Sequence, residues 1–182
     1  MNKTTIFQMT VVLLAAALLA GCGQGTITNG QARLVAGESS AGFLDRMADE
    51  QMVMQNDAMR GMVMLIDGED TFNTFQDRVS YLQGLSVVPT SWNLDASGFL
   101  TRGQLAYMTY VASEMSGGVW LTVAGPSQRY CLREMQYRGV MGKGSLLASV
   151  SGLEYIGTLG RVAVYKEAGE VPDPAGDLPS DY

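Results

Sequence analysis

The chain has 182 residues, of which 12 are basic and 18 acidic, so its formal net charge is −6 at neutral pH. This acidic balance disfavours nucleic acid and anionic lipid surfaces as partners. The chain contains no histidine, which excludes Ser-His-Asp and Cys-His catalysis and histidine-ligated zinc or iron sites.

The N-terminal residues have the pattern of a bacterial export signal. Lys3 supplies a positive charge, and residues 11–20 form an apolar run that is too short for an ordinary membrane span. The Leu-Ala-Gly-Cys sequence at residues 19–22 resembles the lipobox of bacterial lipoproteins. The resemblance implies that residues 1–21 are a signal peptide and that Cys22 is acylated. A plain secretory signal with an incidental cysteine is the alternative.

Residues 22–39 are mostly Gly, Gln, Thr, Asn and Ser, which predicts a lipidated, flexible tether. Gly23 stands where an aspartate would retain a lipoprotein in the inner membrane, so the resemblance implies the outer membrane of a diderm bacterium. Cys131 is the only other cysteine, and an acylated Cys22 leaves it without a disulfide partner. Its apolar neighbours favour a buried, inert thiol over a reactive one.

Apolar residues at three- and four-residue spacing predict a succession of amphipathic helices. The predicted helices span residues 40–66, 71–85, 101–115, 127–137 and 151–168. Residues 119–124 are β-prone and bounded by Gly-Gly and Gly-Pro, which predicts one short extended or β segment. The predicted fold class is therefore mainly α, with one compact domain over residues 40–167 and an acidic disordered tail over residues 168–182.

Two local patterns raise metal binding as an alternative. Methionines cluster at residues 52–54 and 62–64, and thioether clusters bind copper(I), although flexible methionines that fill a core explain the same pattern. Residues 93–104 resemble a calcium loop of the EF-hand type. However, Asp95 is its only carboxylate, and Gln104 stands where a bidentate carboxylate is needed. We therefore predict a turn before a capped helix, and no metal site.

The helix predicted after Ser127 carries a run of charged residues on one side. Its charged positions are Arg129, Arg133, Glu134 and Arg138. Spacings of four residues predict ion pairs along a solvated face. A basic patch that binds a substrate is the alternative.

Two segments of the chain repeat one pattern. Each has a helix, an extended loop and a second helix that begins with Thr or Ser three residues ahead of Gln or Glu. The two pairs are Thr101 with Gln104 and Ser151 with Glu154. This spacing is typical of a capping box. The sequence thus predicts two similar helix-loop-helix units, over residues 78–115 and 129–167, neither of which could bury its apolar face alone.

Residues 78–164 resemble S-layer homology repeats, and the best match is at residues 100–106, Leu-Thr-Arg-Gly-Gln-Leu-Ala. In that family the repeats hold proteins to cell-wall glycans, and a Thr-Arg pair lies in the glycan groove. The resemblance therefore nominates Thr101 and Arg102 as ligand-binding residues. The second unit has a Ser-Gly pair there, the family's tryptophan is absent, and the usual third repeat is not recognisable.

Together these features predict a lipid-anchored, non-catalytic envelope protein that binds an envelope protein or cell-wall glycan through its helical domain, without a cofactor. One alternative is a carboxylate-dependent enzyme acting on envelope glycans, which needs two carboxyl groups about 5 to 10 Å apart. Its candidate residues are Asp95, Glu114, Glu134 and Glu154. The other alternative is a protein that binds copper or calcium weakly.

Overall fold

The computed structural model describes residues 38–170, which form seven helices. These are α1 Ser40–Ala48, α2 Gln55–Asp67, α3 Phe75–Gly84, α4 Arg102–Ala112, α5 Val119–Ala124, α6 Gln128–Tyr137 and α7 Gly152–Ala168. The fold is mainly α, which confirms the predicted fold class. No helix in this part of the chain is long and apolar enough to cross a membrane. The predicted signal peptide, Cys22, and most of the predicted tether and tail lie outside the described residues.

The single helix predicted over residues 40–66 is wrong, because the chain leaves the helix between Ala48 and Gln55. Val53, in this break, donates its N–H to the Val150 carbonyl at 2.8 Å and accepts the N–H of Leu100 at 2.8 Å. These bonds to distant parts of the chain need extended backbone. The apolar spacing continues across the break, so helical periodicity could not reveal it.

The extended segment predicted at residues 119–124 is also wrong, since these residues form helix α5. The carbonyl of Gly118 accepts the N–H of Leu121 at 2.9 Å. Leu121 is buried, whereas Val119 and Val123 are each 76% exposed. β-branched residues favour a strand when a neighbouring strand supplies backbone partners. The described residues place no strand alongside, so the segment makes its hydrogen bonds within its own helical turn.

Three extended residues form a closed ring of backbone hydrogen bonds inside the fold. Val53 donates to Val150 at 2.8 Å, Leu100 donates to Val53 at 2.8 Å, and Val150 donates to Leu100 at 3.1 Å. All three side chains are fully buried. Each of the three residues immediately precedes the N-cap of a helix, namely of α2, α4 or α7. The ring therefore connects three helix-loop-helix units through their backbones.

These units are the helix pairs α1 and α2, α3 and α4, and α6 and α7, which we call the first, second and third units. The second helix of each unit packs against the first helix of the next, so that α2 contacts α3, α4 contacts α6, and α7 contacts α1. The two units that the sequence predicts are the second and third. The sequence pattern does not reveal the first unit, because the connection between its helices, from Ala48 to Gln55, is much shorter than in the other two units.

The turns after α3 and α6 have the same hydrogen bonds. In the second unit the amides of residues 87 and 88 both donate to the Leu82 carbonyl. In the third unit the amides of residues 140 and 141 both donate to the Met135 carbonyl. The similarity of these two segments in sequence therefore corresponds to one backbone conformation used twice.

Methionine and cysteine side chains contribute to the core. Met47, Met59 and Met62 are fully buried, which confirms that methionines fill the interior, although Met52 is 41% exposed. Cys131 is fully buried, and this burial raises the pKa of its thiol to about 12. The prediction of a buried thiol at this position is confirmed.

Candidate functional site

Thr101, one of the two residues predicted to bind a ligand, is the N-cap of α4. Its Oγ1 accepts the N–H of Gln104 at 3.2 Å, and Oε1 of Gln104 accepts the N–H of Thr101 at 3.0 Å. These two bonds complete the predicted capping box and satisfy two amides at the start of the helix. The structure therefore gives Thr101 a structural role.

Arg102, the second predicted ligand residue, is buried with a side chain only 9% exposed. Its guanidinium donates to the carbonyl of Lys143 at 2.9 Å and to that of Gly142. Its Nε lies 2.9 Å from Oε1 of Glu154, and these two buried atoms are not aligned as a hydrogen bond, so the contact is an ion pair. Arg102 thus joins α4 to the loop after α6 and to α7, both in the third unit. Ligand binding by Thr101 and Arg102 stays a prediction.

The third unit forms one half of the equivalent capping box. Oγ of Ser151 accepts the N–H of Glu154 at 3.3 Å, whereas the Glu154 carboxylate pairs with Arg102. Gly152 stands at the position of the arginine, and a Cβ there would lie 1.6 Å from the carbonyl oxygen of Met47. The second copy has no room for an arginine here, because the backbone of Met47 in the first unit lies where a side chain would begin.

An open cleft of about 260 Å³ lies between α5 and α6. One wall is formed by α6, whose lining residues are Tyr130, Arg133, Glu134 and Tyr137. Their spacings of three, four and seven residues place them along one side of the helix. The opposite wall comes from Val119 and Leu121 of α5. The charge spacing of α6 predicts a solvated face, and it does not reveal the cleft because the sequence of α5 predicts an extended segment.

Arg138 holds the two walls in position. It donates to Oε1 of Glu134 at 2.8 Å, to the carbonyl of Ser116 at 2.5 Å, and to the hydroxyl of Tyr165 at 3.3 Å. The first of these bonds confirms an ion pair predicted along this helix and raises the pKa of Arg138. Arg138 thereby links α6 to the chain before α5 and to α7.

Two glycines allow α5 to approach the rest of the domain. A Cβ on Gly117 would lie 2.4 Å from the hydroxyl of Tyr110 and 2.6 Å from Cβ of Leu121. Gly118 follows as the N-cap of α5 and lines the cleft. Only a residue without a side chain fits at Gly117, so this glycine lets the start of α5 pack closely against Tyr110 of α4.

The cleft presents both apolar and charged groups to solvent. Tyr137 is 88% exposed, and Val119 is 76% exposed. Arg133 is exposed, and Glu134 is held by Arg138. A surface with aromatic rings, a guanidinium and a carboxylate can contact apolar faces and also exchange hydrogen bonds. These groups suit the noncovalent binding of a ligand that has both apolar faces and polar groups.

The four carboxylates of the enzyme alternative lie in separate surroundings. Asp95 accepts two hydrogen bonds within its own loop, from the amide and the hydroxyl of Ser97. Glu114 is exposed just after α4, and Glu134 and Glu154 each pair with an arginine. Residues 38–170 contain no group of three or more acidic or cysteine side chains that could hold a metal ion.

No protein family, curated protein or solved structure matches this chain.

Proposed function

We propose that this protein is a lipid-anchored, non-catalytic envelope protein that binds a cell-wall glycan in the cleft between α5 and α6. The observation that carries the proposal is the row of side chains along α6, from Tyr130 to Tyr137, which faces an open cleft. The anchor is the acylated Cys22. Gly23 after it supports a location at the outer membrane of a diderm bacterium.

Glycans suit this cleft because sugar rings combine apolar faces with many hydroxyl groups. Tyrosine offers a flat apolar body with a polar tip. The guanidinium of Arg133 donates hydrogen bonds, and the carboxylate of Glu134 accepts them. An open cleft also lets a long polymer pass without threading an end. The cleft thus offers complementary groups to a polysaccharide.

The resemblance to S-layer homology repeats supports the same class of ligand. That family uses three repeats, and residues 38–170 contain three helix-loop-helix units around one ring of hydrogen bonds. The family's Thr-Arg pair corresponds to Thr101 and Arg102, and most of the Arg102 side chain is occupied within the domain. We therefore assign the glycan to the cleft, Thr101 to capping α4, and Arg102 to holding the second and third units together.

An envelope protein is a second candidate ligand for the same cleft. It is favoured by Val119 and Val123, which are each 76% exposed on α5. Exposed apolar side chains grouped beside a cleft are typical of protein contacts. The experiment below separates the two.

The test is retention of the mature protein on purified peptidoglycan sacculi. We expect Tyr137→Ala to reduce retention about tenfold, because exposed aromatic anchors contribute much of the affinity at binding surfaces. Leu147→Ala is the matched control, since Leu147 is 77% exposed and lies outside the cleft. It should be retained like the wild type.

The outcomes separate the parts of the proposal. If the wild-type protein does not bind sacculi, glycan binding is excluded. If it fails to bind sacculi but cross-links to an envelope protein in cells, and Tyr137→Ala abolishes that product, the second candidate is correct. Palmitate labelling with and without globomycin tests the anchor at Cys22 independently.

A further inference from the structure

A second, apolar groove of about 290 Å³ lies where α1, α2 and α7 meet. Its walls include Leu44, Leu65, Ile156 and Leu159. Among the described residues that line the groove, Ser40 alone has a polar side chain, and none is charged. A polar ligand placed here would lose hydration without gaining hydrogen bonds. The groove therefore suits a hydrocarbon.

The N-terminal segment of the chain enters the domain beside this groove. Glu38, two residues before Ser40, is held by ion pairs with Arg60 at 2.6 Å and Arg46 at 3.0 Å. The carbonyl of Glu38 also accepts a hydrogen bond from Arg60 at 3.0 Å. Arg60 adjoins Gly61, which lines the groove. These contacts fasten the end of the predicted tether next to the groove.

We propose that the groove holds one fatty acyl chain of the lipid carried by Cys22, an inference that rests on the proposed lipid anchor. Residues 22–37 can span up to about 55 Å at ~3.5 Å per residue. The longest helix within residues 38–170, α7, has 17 residues and is about 25 Å long at ~1.5 Å per residue. The lipid can therefore reach any point along the groove.

The size of the groove agrees with part of an acyl chain. Its 290 Å³ corresponds to on the order of ten groups the size of a water molecule, at about 30 Å³ each. An acyl chain would cover the exposed part of Leu44, which is 37% exposed. Holding the acyl chain in the groove shields its hydrocarbon from water.

The test uses the full chain expressed in a bacterium grown with a photoreactive alkyne analogue of palmitate. After irradiation, peptides that carry the cross-linked lipid are mapped by mass spectrometry. We expect cross-links from the lipid on Cys22 to residues 61–68 and 156–163. Gly160→Phe, which fills the groove, should reduce them at least tenfold.

Gly84→Phe is the matched control. An added Cβ has nothing within 4 Å at either Gly160 or Gly84, so both positions have open space, but Gly84 ends α3 away from the groove. The control should retain the wild-type cross-links. Circular dichroism checks the folding of each variant, and Leu44→Gln replaces Gly160→Phe if the latter does not fold.

Each result decides a different part of the inference. Lipid on Cys22 without cross-links in the groove overturns the groove proposal and leaves the anchor intact. Absence of lipid on Cys22 overturns both. The acyl-chain site is also overturned if the cross-links persist at wild-type level in the groove-filling variant. The same holds if the lipid of one chain cross-links to a second chain instead of to its own groove.

Discussion

Arg102 and Gly152 are equivalent residues, each the first residue of the second helix in its unit, yet their surroundings differ completely. Arg102 extends to the turn at residues 142–144 and to Glu154. At Gly152 the carbonyl oxygen of Met47 occupies the place where a side chain would begin. The repeated backbone thus determines where each helix starts, and the neighbouring unit determines which side chain fits there.

The lengths of the connections explain this difference. In the second and third units a long loop folds over the preceding unit's helix start, with the Asn56 amide donating to Ala96 and the Gly103 amide donating to Leu146. The short connection of the first unit places the Glu50 carbonyl at the start of α7, where it accepts the N–H of Gly152 at 2.8 Å. Consequently, the start of α7 is poorly covered, and the residue after Gly152 is 71% exposed.

The largest predicted effect is at the close contact of α7. Gly152→Ala should lower the free energy of unfolding by about 3 kcal/mol, because the new Cβ meets backbone that cannot move aside easily. Urea denaturation followed by circular dichroism measures the change. Gly160→Ala on the same helix is the control, and it should raise stability by roughly 0.5–1 kcal/mol because it meets open space. Equal stability of Gly152→Ala and wild type would refute the close contact.

Removal of the arginine should have the next largest effect. Arg102→Ala leaves the Glu154 carboxylate and two carbonyls without their partner, which should cost about 2 kcal/mol. The double variant Arg102→Ala with Glu154→Ala should be less destabilised than the sum of the single variants, since the pair interacts directly. Additive effects in this double-mutant cycle would contradict the ion pair.

The two helix caps should have smaller effects. Thr101→Ala and Ser151→Ala should each lower the free energy of unfolding by about 1 kcal/mol, because each removes one hydrogen bond to an orphan amide. Gln104→Ala should cost about 0.5–1.5 kcal/mol through its bond to the Thr101 amide. A Ser151→Ala variant as stable as wild type would show that the third unit does not depend on its cap.

Cys131 reports on the contact between α4 and α6 without a large change in stability. Because burial raises the pKa of its thiol to about 12, the folded protein should react slowly with Ellman's reagent at pH 8. Arg102→Ala should speed the reaction, because the contact between α4 and the third unit then opens more often. The unfolded thiol has a pKa of about 8.5, so stability should fall as the pH rises from this value towards 12. A wild-type thiol that reacts rapidly at pH 8 would contradict the burial.

Local sequence signals were sufficient for several elements. Ser127, Thr101 and Ser151 each begin a helix where the sequence predicts one, since a cap acts on amides only three residues away. The apolar neighbours of Cys131 also predict the burial of its thiol. These features depend on contacts within one or two helical turns.

The candidate cleft could not be predicted in this way. In the sequence, the wall formed by α6 can be recognised as a set of charged and aromatic residues. The seven-residue spacing of Tyr130 and Tyr137 indicates that the two rings lie on one side of the helix. The opposite wall depends on α5, whose composition is β-prone. Whether such a segment forms a strand depends on partners that come from elsewhere in the chain.

The sequence by itself determined the helical class, the caps and the similarity of two units, because these follow from short-range hydrogen bonding and apolar periodicity. Only the tertiary structure decided that residues 38–170 contain three units, that the helix breaks at Val53, and that Arg102 is occupied within the domain. Each of these depends on backbone or charged groups separated by about 40 residues or more in sequence. No local pattern records such pairings, since loop lengths and neighbouring helices determine them.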